Sequence, residues 1–277
     1  MVNPVYLEGK LVEAPAGAND PRYHLPTNAI DDTLTSGLFE EITQEIKAYV
    51  ANYFHTRHHD THADPSAASD ELKTILDTVA PAGAWRTLLQ QRDSKGRMLV
   101  IRAALWGLLG SAWETGELVG YSGINNTPAA EQASEAYSQR RAAYIAYIKN
   151  SGYAHTQAAV ITALTARMDA GLAGWVVGGH PGERHAALSM IVERAAALAG
   201  QLGVQVAEFR LLRTGEGGLD LRAMENVEVA AVALGGERVR MVVAPGLVKW
   251  GNAGGEQWTQ NLVLVKAKVV LECAEVM

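Results

Sequence analysis

Hydrophobic residues recur at steps of three and four positions up to about residue 202, and at steps of two positions after it. The first spacing places apolar side chains on one face of a helix, and the second places them on one face of a strand. We therefore expect an α+β protein. It would have a flexible N-terminal arm at 1–29, a mainly helical bundle at 30–202, and a small antiparallel β-element at 203–277 that packs on the bundle.

The helical part contains several segments with continuous apolar stripes. The first begins at Asp31 or Asp32, whose carboxylate can cap a helix, and ends near Phe54. The same spacing predicts helices at 70–79, 95–114, 127–150, 156–169 and 182–202, with a further apolar segment at 85–89. Segment 95–114 is apolar on nearly every side, which is typical of a helix at the centre of a bundle.

The strand-rich part predicts a hairpin near its end. Two runs rich in β-branched residues, 237–250 and 258–276, flank three glycines of a turn, Gly251, Gly254 and Gly255. Glycine adopts the backbone angles that tight turns need, and β-branched side chains suit a pleated sheet. Individual strands are predicted at 204–212, 227–234, 238–243 and 262–271.

Composition and charge exclude several classes of protein. The chain is 48% hydrophobic and 19% charged, which is typical of a globular protein, and its net charge of −6 argues against nucleic-acid binding. Its only cysteine, Cys273, cannot form an intrachain disulfide and fits a reducing compartment. We find neither a secretion-signal pattern nor an apolar run of the roughly 18 residues that span a bilayer. We expect a cytoplasmic or nuclear protein with no membrane partner.

A histidine-rich segment is the strongest candidate for metal binding. His55, His58, His59 and His62 are spaced so that they share one face of a continuing helix, and two or three imidazoles could bind Zn²⁺ or Ni²⁺ there. The alternative is that the first helix ends here and continues into a solvated loop. Binding of zinc or nickel would then be adventitious, and no cofactor would be required.

Other motifs give weaker indications of chemistry. The loop 178–185 could hold an anion at a helix N-terminus, or it could simply connect two helices. The segment 120–123 resembles a nucleophile elbow but lacks the final glycine and the preceding strand. Cys273 lies in the last predicted strand and is interpreted as a small core residue. We therefore predict no catalytic residues.

One helix carries a face rich in tyrosine and arginine. Tyr137, Tyr144 and Tyr147 alternate with Arg140 and Arg141 at helical spacing. Tyrosine and arginine are favoured at the centres of protein interfaces, so this face could bind a protein partner. It could equally be a wide, partly buried face of the core.

Three segments resemble a recurrent region, without an assigned function, in proteins from filamentous ascomycete fungi. They are 30–54 (IDDTLTSGLFEEITQEIKAYVANYF), 97–113 (RMLVIRAALWGLLGSAW) and 242–271 (VVAPGLVKWGNAGGEQWTQNLVLVKAKVVL). The shared motifs are patterns of core residues and cover most of residues 30–277. The resemblance implies a mainly helical region and supplies no catalytic residues.

Three hypotheses about function remain open from the sequence. The first is a non-enzymatic intracellular interaction or regulatory module that binds an unidentified protein through the tyrosine and arginine face. The second is a metal-dependent enzyme or sensor built on the four histidines. The third is a helical domain that binds a small molecule among Trp106, Trp113 and Tyr144.

Overall fold

The computed structural model describes residues 5–7, 10–12, 30–55, 64–80, 83–90, 94–121, 133–150, 152–212, 222–227, 238–251 and 261–272. The helices are α1 (Asp32–Phe54), α2 (Asp70–Val79), α3 (Ala84–Gln90), α4 (Ser94–Glu114), α5 (Ala133–Ile148), α6 (Tyr153–Leu172) and α7 (Pro181–Gly203). The strands are β1 (Val5–Leu7), β2 (Lys10–Val12), β3 (Glu208–Leu212), β4 (Met224–Asn226), β5 (Arg238–Ala244), β6 (Gly246–Trp250), β7 (Asn261–Val265) and β8 (Ala267–Glu272). The predicted α+β class is confirmed.

Local signals place most helix boundaries correctly. Asp31 caps α1, because its Oδ1 accepts hydrogen bonds from the amides of Thr33 at 2.6 Å and Leu34 at 3.3 Å. Ser69 caps α2 in the same way through the amide of Leu72. Helix α6 is longer than predicted, and the predicted start of α5 at 127–128 lies outside the described residues.

Helix α4 occupies the centre of the bundle, as its apolar sequence predicts. It packs against α1, α2 and α3 and against strand β5. Ile101, Leu105 and Leu109 on this helix have no exposed surface. One cluster of buried hydrophobic residues runs from these helices into the C-terminal strands, so both parts share a core.

The predicted hairpin is present and is interrupted in the middle. Strands β6 and β7 pair antiparallel, as do β5 and β8, and the strands break between the two halves at Pro245 and Lys266. Strand β3 adds to the first half (order β3-β6-β7) and β4 pairs in parallel with β8 in the second (order β4-β8-β5). The prediction of one continuous strand at 262–271 is therefore wrong. Most of the strand predicted at 227–234 lies outside the described residues.

Within the predicted arm, β1 and β2 pair antiparallel, with Val5 opposite Val12. Among the described helices, none is both long and apolar enough to cross a membrane.

Candidate ligand-binding cleft

A cleft of about 360 Å³ lies between α5, the end of α7 and strand β3. We call it the Tyr/Arg cleft. It is lined by Trp113, Glu114, Leu118, Val119, Tyr137, Arg140, Arg141, Tyr144, Ala199, Leu202, Gly203, Glu208, Phe209, Arg210 and Leu211. Most of its surface comes from apolar and aromatic side chains, and its charged groups are guanidinium groups and carboxylates.

One wall of the cleft is the tyrosine and arginine face of α5. Each of the two tyrosines, Tyr137 and Tyr144, lies three or four positions from Arg140 and from Arg141, so the helix turns all four toward β3 and α7. Tyr137 and Tyr144 are only 8% and 3% exposed. For these two residues the structure favours the second interpretation of the face, a partly buried core surface.

An ion-pair network links α5 to β3 across the cleft. The carboxylate of Glu208 accepts a hydrogen bond from Arg140 Nη2 at 3.2 Å on one oxygen and from Arg210 Nη2 at 2.7 Å on the other. The Glu208 side chain is 10% exposed and that of Arg140 is 17% exposed. Arg210 also lies over the ring of Trp250, 5.5 Å from its centroid. Two cations therefore share one carboxylate.

Arg141 is held by a backbone carbonyl group, whereas Arg140 is held by a carboxylate. Its Nε donates a hydrogen bond of 2.7 Å to the carbonyl oxygen of Val204, directly after α7. Within the described part of the chain, no carboxylate pairs with this guanidinium group. Its Nη groups are therefore available on a side chain whose orientation is already set.

The hydroxyl groups of the two buried tyrosines both have hydrogen-bond partners, and Tyr137 is a donor. Tyr137 Oη lies within donating distance of two carbonyl oxygens, those of Gln205 at 2.9 Å and Ala207 at 3.0 Å. Burial raises the pKa of the Tyr137 phenol, and repulsion from Glu208 raises it further. Burial also raises the pKa of Tyr144, and Tyr153 adds to the effect. Both phenols therefore stay protonated at neutral pH.

Tyr147 belongs to an adjoining aromatic cluster and does not line the cleft. Its ring lies 5.5 Å from that of Tyr121 and 5.4 Å from that of Tyr153, measured between centroids. Tyr144 joins this cluster through Tyr121 at 5.8 Å. The cluster holds the Tyr144 ring against the end of α7.

Gly203 allows α7 to approach Tyr144 closely. A Cβ atom at position 203 would lie 2.9 Å from Tyr144 Cε1 and 3.1 Å from Cδ1, closer than packed carbon atoms tolerate. The ring has little room to move because its aromatic neighbours surround it. A larger residue at 203 would therefore displace one wall of the cleft.

We expect Gly203→Ala to destabilise the protein, by about 1 kcal/mol after the better helix propensity of alanine offsets part of the overpacking cost. Urea unfolding would measure the change. Gly37→Ala is the matched control: a Cβ there meets no atom within 4 Å, so the same substitution should stabilise α1 by about 0.5–1 kcal/mol. Equal effects at the two positions would contradict the close approach at Tyr144.

The structure separates the tryptophans that the sequence grouped as candidate ligand contacts. Trp113 and Tyr144 line the cleft. Trp106 does not, because it stacks on Phe39 with 4.9 Å between ring centroids and is 3% exposed. Trp113 contacts the same phenylalanine edge-on, at 6.5 Å, and so connects the cleft to the core.

The described residues do not form the metal site that the histidine hypothesis requires. His55 is exposed and ends α1 as its C-terminal cap, while His58, His59 and His62 lie outside the described residues. Asp64 caps a short 3₁₀ turn through the amide of Ser66. Among the described residues, no group of three or more histidine, cysteine or acidic side chains could hold a metal ion.

The glycine-rich loop at 178–185 connects two helices. His180 is the N-cap of α7, and its Nδ1 accepts a hydrogen bond from the amide of Gly182 at 3.2 Å. Arg184 in the first turn pairs with Asp169 on α6 at 2.7 Å. Tyr121 follows the 3₁₀ turn Glu117–Val119, not a strand, while Ser122 and Cys273 lie outside the described residues.

The sequence predicted the wall of the cleft that α5 forms, but not the opposite wall, which β3 forms. Four of the five residues predicted to bind, those on α5 other than Tyr147, line it. Glu208 and Arg210 were not predicted. Their signal is a pair of opposite charges at alternate positions of an otherwise apolar strand, where a buried charge requires a partner.

Comparison with protein-family models, with curated proteins and with solved structures finds no match to this chain. The resemblance to the fungal region stays a prediction.

Proposed function

We propose that this protein is a non-enzymatic module that binds a small organic molecule in the Tyr/Arg cleft. The observation that supports the proposal is the cleft volume of about 360 Å³. It falls within the range of roughly 300–1,000 Å³ that is usual for small-molecule sites. Apolar walls with a few fixed polar groups are also what such sites share.

The chemistry of the lining supports binding over catalysis. Among the described residues that form the cleft there is no serine, cysteine, histidine or lysine. The raised pKa values of Tyr137 and Tyr144 keep these phenols protonated at neutral pH, so neither can serve as a general base there. Glu208 is held by two arginines and is therefore poorly placed to accept a proton from a substrate.

A protein partner on this face is the less favoured proposal. Interface anchors must reach the partner's surface, whereas Tyr137 and Tyr144 are buried beside α7 and β3. Contact with a partner would require α5 to move away from these elements. The single cysteine favours a reducing compartment, the cytoplasm or the nucleus, for the module.

A cavity-filling variant tests the proposal. Ala199 on α7 lines the cleft and is half-buried, so Ala199→Leu should occupy the space that a ligand needs. We expect fragment screening by ligand-observed NMR to detect ligands of the wild-type protein that Ala199→Leu no longer binds. The fold should survive, since added methylene groups enter an existing space.

Ala186→Leu is the matched control on the exposed side of the same helix and should bind the same fragments as wild type. Fragments that bind all three proteins equally would place the ligand elsewhere. A wild-type protein that binds no fragment would remove the basis of the proposal.

A further inference from the structure

Positive side chains outnumber negative ones among the described residues of the Tyr/Arg cleft, and this excess indicates which ligand the cleft can bind. Among the described residues of the lining, three carry guanidinium groups, Arg140, Arg141 and Arg210, and two carry carboxylates, Glu114 and Glu208. The protein as a whole is acidic, with a net charge of −6. A cationic cleft on an acidic protein points to a specific anion, since general electrostatics would repel one.

Arg141 is the group best placed to bind that anion. Arg140 and Arg210 are both neutralised in part by Glu208. Arg141 uses its Nε for the Val204 carbonyl, which leaves the edge formed by its two Nη groups. A guanidinium edge of this kind matches the two oxygens of a carboxylate, and such bidentate pairs are among the strongest hydrogen bonds in proteins.

The rest of the lining indicates the body of the ligand. Tyr144, Leu202 and Phe209 line the same cleft as Arg141 and offer aromatic and aliphatic surface there. Aromatic walls favour flat or apolar groups that stack or pack edge-on against them. The ligand would therefore be amphipathic, with its charge at one end.

We propose that the ligand of the Tyr/Arg cleft is a small organic acid, in which an aromatic or other apolar body carries one carboxylate that binds the Nη edge of Arg141. This inference rests on the proposed function. A phosphate ester carries roughly two charges at pH 7 and needs a second available cation. Arg140 and Arg210 could provide it only by releasing Glu208, so the carboxylate is favoured.

A matched series of four ligands tests the class directly. The probes are 4-phenylbutyrate, 4-phenylbutan-1-ol, 4-phenylbutylamine and 4-phenylbutyl phosphate, which share the body and differ in the head group. Isothermal titration would measure the dissociation constants. We expect 4-phenylbutyrate to bind at least tenfold more tightly than the alcohol and the phosphate, and the amine to bind most weakly.

The variant Arg141→Gln should weaken binding of 4-phenylbutyrate at least tenfold. The dissociation constant of 4-phenylbutan-1-ol should stay within about twofold of its wild-type value. Lys149→Gln removes the same charge just after α5, at an exposed position, and should change neither. If Arg141→Gln does not fold, the salt dependence of the wild-type protein still tests whether an ion pair holds the ligand, because binding of the acid should weaken as salt rises and binding of the alcohol should not.

The outcomes separate this inference from the proposed function. Equal binding of the acid and the alcohol, or binding of the acid that Arg141→Gln leaves unchanged, overturns the inference while a ligand-binding cleft stands. Tighter binding of the phosphate overturns the choice of carboxylate. If no probe binds and the fragment screen also finds no ligand, both this inference and the proposed function are overturned.

Discussion

Gly246→Ala is expected to destabilise the protein by about 3 kcal/mol, the largest effect of any single methyl group that we predict. A Cβ at this position would lie 2.6 Å from the carbonyl oxygen of Val265 and 2.8 Å from the amide nitrogen of Ala267. Both are backbone atoms on either side of the break between β7 and β8, so no side-chain rotation can relieve the contact. Urea unfolding followed by circular dichroism would measure the loss.

The consequence should extend to the cleft. Gly246 pairs with Leu212 at the end of β3, and β3 carries Glu208 and Arg210. A backbone shift that admits a methyl group at position 246 would therefore displace the wall opposite α5. Gly37→Ala again serves as the control with free space. A loss below about 1 kcal/mol at Gly246 would mean that the two halves of the hairpin are not packed as closely as described.

Glu208→Gln is expected to cost about 2–3 kcal/mol, because it removes the negative charge that Arg140 and Arg210 share in a largely buried site. Glutamine keeps the size of the side chain and one of its two acceptor oxygens, so the loss reports the charge together with one of the two hydrogen bonds to the arginines. Glu71→Gln is the control: its pair with Arg167 is 48% and 38% exposed, and surface pairs contribute about 0–1 kcal/mol. Denaturant unfolding of the two variants would give the comparison.

A double-mutant cycle with Arg140→Met would isolate the pair. We expect a coupling free energy above about 1 kcal/mol between positions 140 and 208, since the two side chains are in direct contact. Additive effects of the two substitutions would instead indicate that Arg210 alone holds Glu208. The network would then leave α5 free to move relative to β3.

The fold was predictable wherever its cause is local. Asp31 and Ser69 are polar residues directly before apolar stripes, and such residues cap helices because their side chains accept the first free amides. The apolar sequence of α4 predicted its central place, because only a helix surrounded by other elements can bury every face. The prediction of a continuous last strand was wrong, since nothing in its alternating pattern marks the break at Lys266.

Only one half of the candidate site, the face of α5, was predictable from the sequence. The spacing of Tyr137, Arg140, Arg141 and Tyr144 shows that one helical face carries them. Whether that face meets solvent, a partner or the core depends on what packs against it, and helical periodicity contains no such information. The same residues therefore supported two interpretations until the position of β3 was known.

The sequence by itself determined the order of elements, most helix boundaries, the central helix and the hairpin, because caps, periodicity and turn residues act over a few positions. The tertiary structure alone decided that Arg140 meets Glu208, 68 residues further along the chain, and that Val204 holds Arg141. It also decided that a cleft remains between α5, α7 and β3. The physical reason is that a sequence specifies which surfaces are to be buried, whereas packing of elements distant in the chain decides what each surface meets and which space stays unfilled.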